Sequence, residues 1–139
     1  MNPKIRRIQV QTKHVLITGG VKRMGLHIAY AFSERGATLG LNYFHSSKSD
    51  AEAAQEECLR RGAKQVFLIK GSIVKEGGAI VGRFLHEAGG IDVLVNNSGV
   101  FPPQRTLKEL TLAEMQSTLD LNLLAPFVLA KAAAPHTGR

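Results

Sequence analysis

Four short apolar runs, each followed by a longer stretch or by a loop leading into one, constrain this chain more than any other feature. They are His14-Val15-Leu16-Ile17-Thr18, Thr38 to Tyr43, Gln65 to Lys70 and Ile91 to Asn96. Strand-like runs alternating with helical patterns predict βαβ units, and hence an α/β fold on a parallel sheet. After the first run, Met24, Ile28 and Phe32 recur at helical spacing beside Ala29, and Gly36 closes that helix. A second helix is expected over about Ser49 to Arg61, stopped by Gly62, and a third over Glu76 to Gly89. The third keeps Ile80, Phe84 and Leu85 on one face, although Gly77, Gly78 and Gly82 weaken it by roughly 1 kcal/mol each relative to Ala. The Ile91 to Asn96 run is nearly continuously apolar, as a strand covered on both faces must be. A loop with Pro102 and Pro103 follows. A capping box, Thr111-Leu112-Ala113-Glu114, then opens a long helix to about Ala134, with a kink expected at Pro126. Pro135 to Arg139 reads as a frayed end. No repeat or linker divides the chain, so residues 1–139 are expected to form one domain.

Composition narrows the function classes. Hydrophobic residues at 44% and charged residues at 21% are ordinary soluble usage and argue against wholesale disorder. Eighteen basic against 11 acidic side chains leave +7, which favours anionic partners. The basic residues are scattered (Lys4, Arg6, Arg7, Lys22, Arg23, Arg60, Arg61, Lys64), with no basic amphipathic helix and no interleaved aromatics, so a nucleic-acid partner is not expected. One cysteine, Cys58, excludes an intrachain disulfide and a Cys-based zinc site, and it fits a cytoplasmic location. No metal site is expected. The basic N-terminus is not followed by an apolar stretch before Lys13, which argues against a signal peptide. The run Leu121 to Ala130 is too short to span a bilayer, so no membrane role is expected.

The segment Thr18-Gly19-Gly20-Val21-Lys22-Arg23-Met24-Gly25 carries the first chemical signal. A glycine-bearing turn feeding a helix N-terminus presents free N–H groups to an anion, and a pyrophosphate fits that description. An ordinary strand-to-helix turn is the plainer alternative. An NAD site would place a carboxylate at the end of the second strand to accept from the ribose 2′-hydroxyl. Here that stretch reads Asn42-Tyr43-Phe44-His45-Ser46-Ser47-Lys48, without a carboxylate. A carboxylate ~4 Å from a 2′-phosphate would repel it by roughly 4 kcal/mol per unit charge at a surface-like dielectric, so its absence beside hydroxyls and bases selects NADP(H) over NAD(H). A polar loop that merely starts the second helix is the alternative for His45, Ser46 and Ser47.

Two further motifs follow in order: Asn96-Asn97-Ser98-Gly99 after the fourth run, and Asp120-Leu121-Asn122-Leu123 within the long helix. Together with the turn at 18–25, they resemble the N-terminal half of a short-chain dehydrogenase/reductase, over about Lys13 to Pro135. Arg23 stands at the second glycine of the family pattern Thr-Gly-x-x-x-Gly-x-Gly, as in the pteridine reductase branch. The resemblance implies a Rossmann-type doubly wound parallel sheet, truncated after about four strands in the order 3-2-1-4, with flanking helices. It implies an NADP(H)-dependent oxidoreductase that reduces a carbonyl or pterin by hydride transfer.

By position, Thr18, Gly19, Lys22, Arg23, Met24 and Gly25 would hold the cofactor phosphates, and His45, Ser46 and Ser47 the 2′-phosphate. Ser72, which replaces a common Asp, and Ile73 would flank the adenine. Asn96, Ser98 and Gly99 would line the strand end near the adenosine ribose. Gly99 departs from the serine frequent in pteridine reductases. Phe101 would stack on a flat substrate ring, with packing on the core as the alternative. Asn122 would be the helix asparagine of the catalytic tetrad.

The tetrad's serine and its Tyr-x-x-x-Lys pair are absent. Tyr30 is followed at the fourth position by Glu34, and Tyr43 by Ser47. These 139 residues alone are therefore expected to be inactive, since a positioned acid contributes typically 10²–10⁴-fold. A non-catalytic NADP-binding remnant or pseudoenzyme is the alternative function. The partners expected are NADP(H) and, in a full-length relative, a small-molecule substrate. Self-association is expected through the long helix from Thr111 or the exposed fourth strand.

Overall fold

The computed structural model describes residues 13–101 and 104–137. The basic N-terminal segment, Pro102 and Pro103, and the last two residues of the expected frayed end lie outside the described residues.

Four parallel strands, β1 (His14–Ile17), β2 (Thr38–Tyr43), β3 (Gln65–Lys70) and β4 (Val93–Val95), form one sheet in the order β3-β2-β1-β4. Three helices alternate with them: α1 (Arg23–Ser33), α2 (Lys48–Arg60) and α3 (Ile73–Ala88). After β4 come α4 (Leu112–Leu119), a π-helical segment (Asp120–Leu124), α5 (Ala125–Ala133) and a closing 3-10 turn. This is the expected Rossmann-type order 3-2-1-4 with flanking helices.

The two-residue period of the strands sorts the core into two layers. Val15, Ile17, Leu39 and Leu41 face α1 and α2, packing with Ala29, Ala51, Ala54 and Cys58. Leu16 and Ile69 face the opposite way, where Ile80, Val81 and Phe84 of α3 and Leu129 of α5 cover them. Gly40 is the position on β2 that faces Phe84: a Cβ there would lie 2.5 Å from Phe84 Cδ2 and 3.0 Å from Leu16 Cδ1. The sheet admits the ring only because β2 lacks a side chain at that point.

Several boundaries differ from expectation. β1 stops at Ile17, and α2 begins at Lys48 because Ser47 caps it, its Oγ accepting from Asp50 N at 3.1 Å. α3 begins at Ile73 rather than Glu76: Ser72 is its N-cap, and Glu76, at φ −130° and ψ 18°, kinks it one turn later. Gly77 has a packing role there, since a Cβ would lie 3.4 Å from Val128 Cγ1 on α5, whereas Gly78 and Gly82 face open space.

β4 is shorter than the apolar run, and its three residues are half-buried rather than covered on both faces. The cause is position, because β1 is its only sheet neighbour among the described residues. At the opposite margin, Gln55 Nε2 donates to Val66 O at 2.7 Å and Arg83 Nη1 to Lys70 O at 2.9 Å, so side chains cover the β3 edge.

The capping box at Thr111 forms as expected: Thr111 Oγ1 accepts from Glu114 N, and Glu114 Oε2 accepts from Thr111 N at 2.9 Å. The helix it opens is not continuous. Pro126 has no N–H for the Asn122 carbonyl, and its ring would crowd that carbonyl in an α-helix. The chain widens by one residue just before it, so that Ala125 N bonds Asp120 O five residues back. The irregularity thus falls at Asp120–Leu124, and Pro126 sits in the first turn of α5. Leu112, Met115, Leu119, Leu123, Phe127 and Val128 are exposed along this region. No helix among the described residues is long and apolar enough to cross a membrane.

α1 and α2 are tied at their C-terminal ends. Arg61 donates to Glu57 (2.7 Å) and to Glu34 (3.1 Å), and its guanidinium lies 4.1 Å from the centre of the Tyr30 ring. Arg60 and then Arg61, both hydrogen-bonded to Glu57, pull its carboxyl down to about 2. A depressed carboxyl stabilises the fold fully above its unfolded value, near ~4.3, and that contribution is lost as pH falls through the folded value.

Two outcomes follow. In acid titrations of thermal stability, Glu57→Gln should flatten part of the decline between about pH 4.3 and about 2. Gly40→Ala should lower unfolding free energy in denaturant titrations by about 1–3 kcal/mol through overpacking, while Gly78→Ala, on an open helix surface, should raise it by about 0.5–1 kcal/mol.

Candidate functional site

The C-terminal ends of β1, β2 and β4 meet, and buried polar bonds fix how they meet. Thr18 directly follows β1. Its N–H donates to Val95 O at 3.0 Å, and its Oγ1 accepts from the N–H groups of Asn97 and Ser98, both at 3.0 Å. Asn97 Nδ2 returns two bonds, to Thr18 O (2.9 Å) and Gly19 O (3.2 Å). On the other side, Gly20 N donates to Asn42 O (3.0 Å), and buried Asn42 gives its Nδ2 to Ile69 O and Gly71 O, both at 3.0 Å. The turn after β1 is therefore stitched to the segment following β4 and to the last residues of β2 itself.

That turn is shaped for close approach. Gly19 has φ 61°, and Arg23 has φ 49°, the only positive φ of a non-glycine residue among the described residues. An arginine there costs roughly 1–2 kcal/mol over a glycine. Gly25 faces the Gly19 carbonyl and Asn97 Nδ2 so closely that no Cβ fits.

The N-terminus of α1 is chemically open. Its N-cap, Lys22, makes no side-chain cap bond, and its first turn holds no acid. By contrast α2, α3 and α4 each have a hydroxyl cap (Ser47, Ser72, Thr111) and an acid in the first turn (Asp50, Glu76, Glu114). Uncapped N–H groups and the positive end of the helix dipole suit an anion. Arg23 is exposed and has no ion-pair partner among the described residues. Lys22 differs: its Nζ lies 2.9 Å from Asp50 Oδ2. That contact, and then Ser47, hold the Asp50 carboxyl below the usual carboxylate range.

The remaining expected residues are distributed as follows. Met24 is exposed. His45 is exposed with its ring 4.6 Å from that of Phe44, and Ser46 is half-buried beside it. Ser47 is occupied as the α2 cap, with Ser49 Oγ 3.0 Å away. Ser72 caps α3, its Oγ accepting from Lys75 N at 3.4 Å, and the Ile73 side chain is buried in the core layer under α3. Asn96 Nδ2 reaches Pro126 O at 3.5 Å. Ser98 is half-buried against the Gly19 turn. Asn122 bonds Val100 in both directions, Oδ1 accepting at 2.8 Å and Nδ2 donating at 2.7 Å, which pins the loop after β4 to the π segment. A Cβ on Gly99 would lie 3.4 Å from that same Oδ1. Phe101 is 95% exposed and does not pack on the core.

The sequence alone assigns no role to three participants, Asn97, Asn42 and Asp50, although Asn97 lies inside the Asn96-Asn97-Ser98-Gly99 motif. Asn97 and Asn42 are small amides at the ends of apolar strands, where a polar residue must find a partner. Asp50 lies only two residues beyond the Asn42–Lys48 stretch, which has no carboxylate. Among the described residues, no group of three or more His, Cys, Asp or Glu is placed to hold a metal ion.

A comparison with known families matches residues 13–139 to short chain dehydrogenase. General stress protein 39 of Bacillus subtilis is 31% identical over 130 residues, covering 92% of this chain and 45% of that protein. Glucose 1-dehydrogenase 2 of the same organism is 33% identical over 126 residues, covering 89% and 48%. Among solved structures, the NADH-dependent reductase A1-R' complexed with NAD superposes with TM-score 0.83 at 28% identity, over 91% of this chain and 52% of that one. A blue fluorescent protein from a metagenomic library, in complex with NADPH, gives 0.84 at 30% identity, over 91% and 52%. The chain thus spans about half the length of the curated relatives it matches. It belongs to the short-chain dehydrogenase/reductase family.

Proposed function

We propose that this protein is an NADP(H)-dependent oxidoreductase acting on a carbonyl or pterin, and that residues 13–137 are its coenzyme-binding part. One observation carries the reading: among the described residues α1 alone of the helices entered from a loop has an uncapped, acid-free N-terminus, and the close approach of Gly25 to Gly19 shapes the turn in front of it. The arrangement fits a dinucleotide diphosphate, because a Cβ at Gly25 would collide with the turn that such a group must approach. A bound nicotinamide supplies the hydride.

The chain's own groups divide the remaining work. The first-turn N–H groups of α1 and the Gly19 turn bind diphosphate. Arg23, His45 and Ser46 meet the 2′-phosphate, where the stretch from Asn42 to Lys48 offers no carboxylate to repel it. Asn122 orients the loop after β4 through Val100, and the exposed Phe101 ring offers a face for a flat substrate, as in pteridine reductases. Self-association through the exposed apolar side chains of α4 and α5 or through the β4 edge, and a cytoplasmic setting, belong to the same proposal.

These 139 residues hold no Tyr-x-x-x-Lys pair. A polypeptide of this sequence, given NADPH and a quinone or pterin, should show no turnover above solvent background in a spectrophotometric assay; steady NADPH oxidation would overturn this.

Titration with NADPH and NADH tests the coenzyme assignment. NADPH should bind more tightly. Arg23→Gly should cut that preference by about ten-fold, the size of a lost charge-assisted hydrogen bond, while leaving stability equal or higher because the φ strain is relieved. Equal or tighter binding of NADH to the unmodified protein overturns the NADP(H) reading.

A further inference from the structure

The turn at the head of α1 carries two adjacent cations, yet the structure treats them differently. Arg23 has no ion-pair partner among the described residues. Lys22 reaches across to α2, its Nζ 2.9 Å from Asp50 Oδ2. Asp50 is not a freely swinging surface acid. Its N–H donates to Ser47 Oγ in the N-cap bond of α2, so its backbone is set by the helix start, and Ser49 Oγ lies 3.0 Å from the same Ser47 hydroxyl. The carboxylate meets Lys22 in the first turn of α2, the helix that follows the loop of His45 and Ser46.

Lys22 and Asp50 together contribute no net charge, so the field at the mouth of the turn comes from Arg23. A phosphate arriving between the turn after β1 and the loop after β2 would meet Asp50 as a like charge and as a rival for Lys22. Both partners are about half exposed, at 53% and 44%, so the exchange of Lys22 from carboxylate to phosphate needs no unpacking of the core.

We propose that Asp50 is a specificity-determining residue, which competes with the 2′-phosphate of NADP(H) for Lys22 and so limits the preference for NADP(H) over NAD(H). The inference rests on the coenzyme reading above. It adds an acid to a pocket whose loop sequence contains none, and it makes coenzyme choice a balance between two charges on different helices. An ordinary aspartate is already ionised at neutral pH, and Lys22 first, then Ser47, holds the Asp50 carboxyl lower still.

The test is the ratio of NADPH to NADH affinity, read by fluorescence or calorimetric titration of the folded protein. Asp50→Asn keeps the backbone cap bond and should raise the ratio about two- to five-fold, the range open to an exposed ion pair. Lys22→Met leaves Asp50 unpaired and should lower the ratio, whereas the Lys22→Met/Asp50→Asn double variant restores net neutrality and should return it to the starting value. Glu52→Gln removes an acid on the same helix, paired with Lys48 at 3.5 Å, and should leave the ratio unmoved. A ratio that is unchanged or lower in Asp50→Asn, or unchanged in Lys22→Met, overturns the proposal. If the unmodified protein favours NADH and Asp50→Asn still shifts the ratio toward NADPH, the NADP(H) assignment falls and the role of Asp50 stands.

Discussion

The bonds between Thr18 and the Asn97-Ser98 segment are the constraint on which the rest of the site depends. β1 and β4 are adjacent in the sheet but far apart in sequence, and ladder hydrogen bonds alone would let the segments beyond them splay. One threonine hydroxyl and one asparagine amide join those segments while satisfying polar groups that would otherwise be left unpaired next to the core. Once Gly19 is held against Asn97, the first turn of α1 has one place to go, and only a glycine at position 25 allows it. The shape of the turn thus begins as a problem in hydrogen bonding between strand ends.

Much of this was legible in the residues. Strands β2 and β3 coincide with their apolar runs because glycine and serine positions bracket both, Gly36 and Ser46 around one and Gly62 and Gly71 around the other, and the Thr111 capping box marks its helix start to the residue. What escaped legibility were features decided by neighbours. β4 looked like a strand covered on both faces because its composition is apolar, yet composition does not say which strand lies at a margin. The first turn of α3 is not legible in the residues because Gly77 and Gly78 weaken helix propensity, while the Ser72 cap and the buried Ile73 decide the start. Proline at 126 announced an irregularity, but its form, a widened turn centred on Asn122, follows from relieving the carbonyl four residues back.

Within the site, position along the chain identified the turn and the loop but not how their charges pair. Lys22 and Arg23 are indistinguishable as a dipeptide; in three dimensions one is committed to α2 and the other projects without a partner among the described residues. Similarly Ser47 and Ser72 read equally well as ligand groups or as helix caps, and the geometry shows both capping. Arg23 in a left-handed conformation is the clearest local conflict between residue type and backbone, and such conflicts concentrate where a chain is shaped for something other than stability.

The two margins of the sheet are not equivalent. At β3 the amide of Gln55 and the guanidinium of Arg83 already occupy the Val66 and Lys70 carbonyls, so an incoming chain would have to evict both before it could add a rung. β4 has no comparable side-chain guard among the described residues. The margin left open to further strand pairing is therefore the one at β4, while the β3 margin is closed by its own helices' side chains.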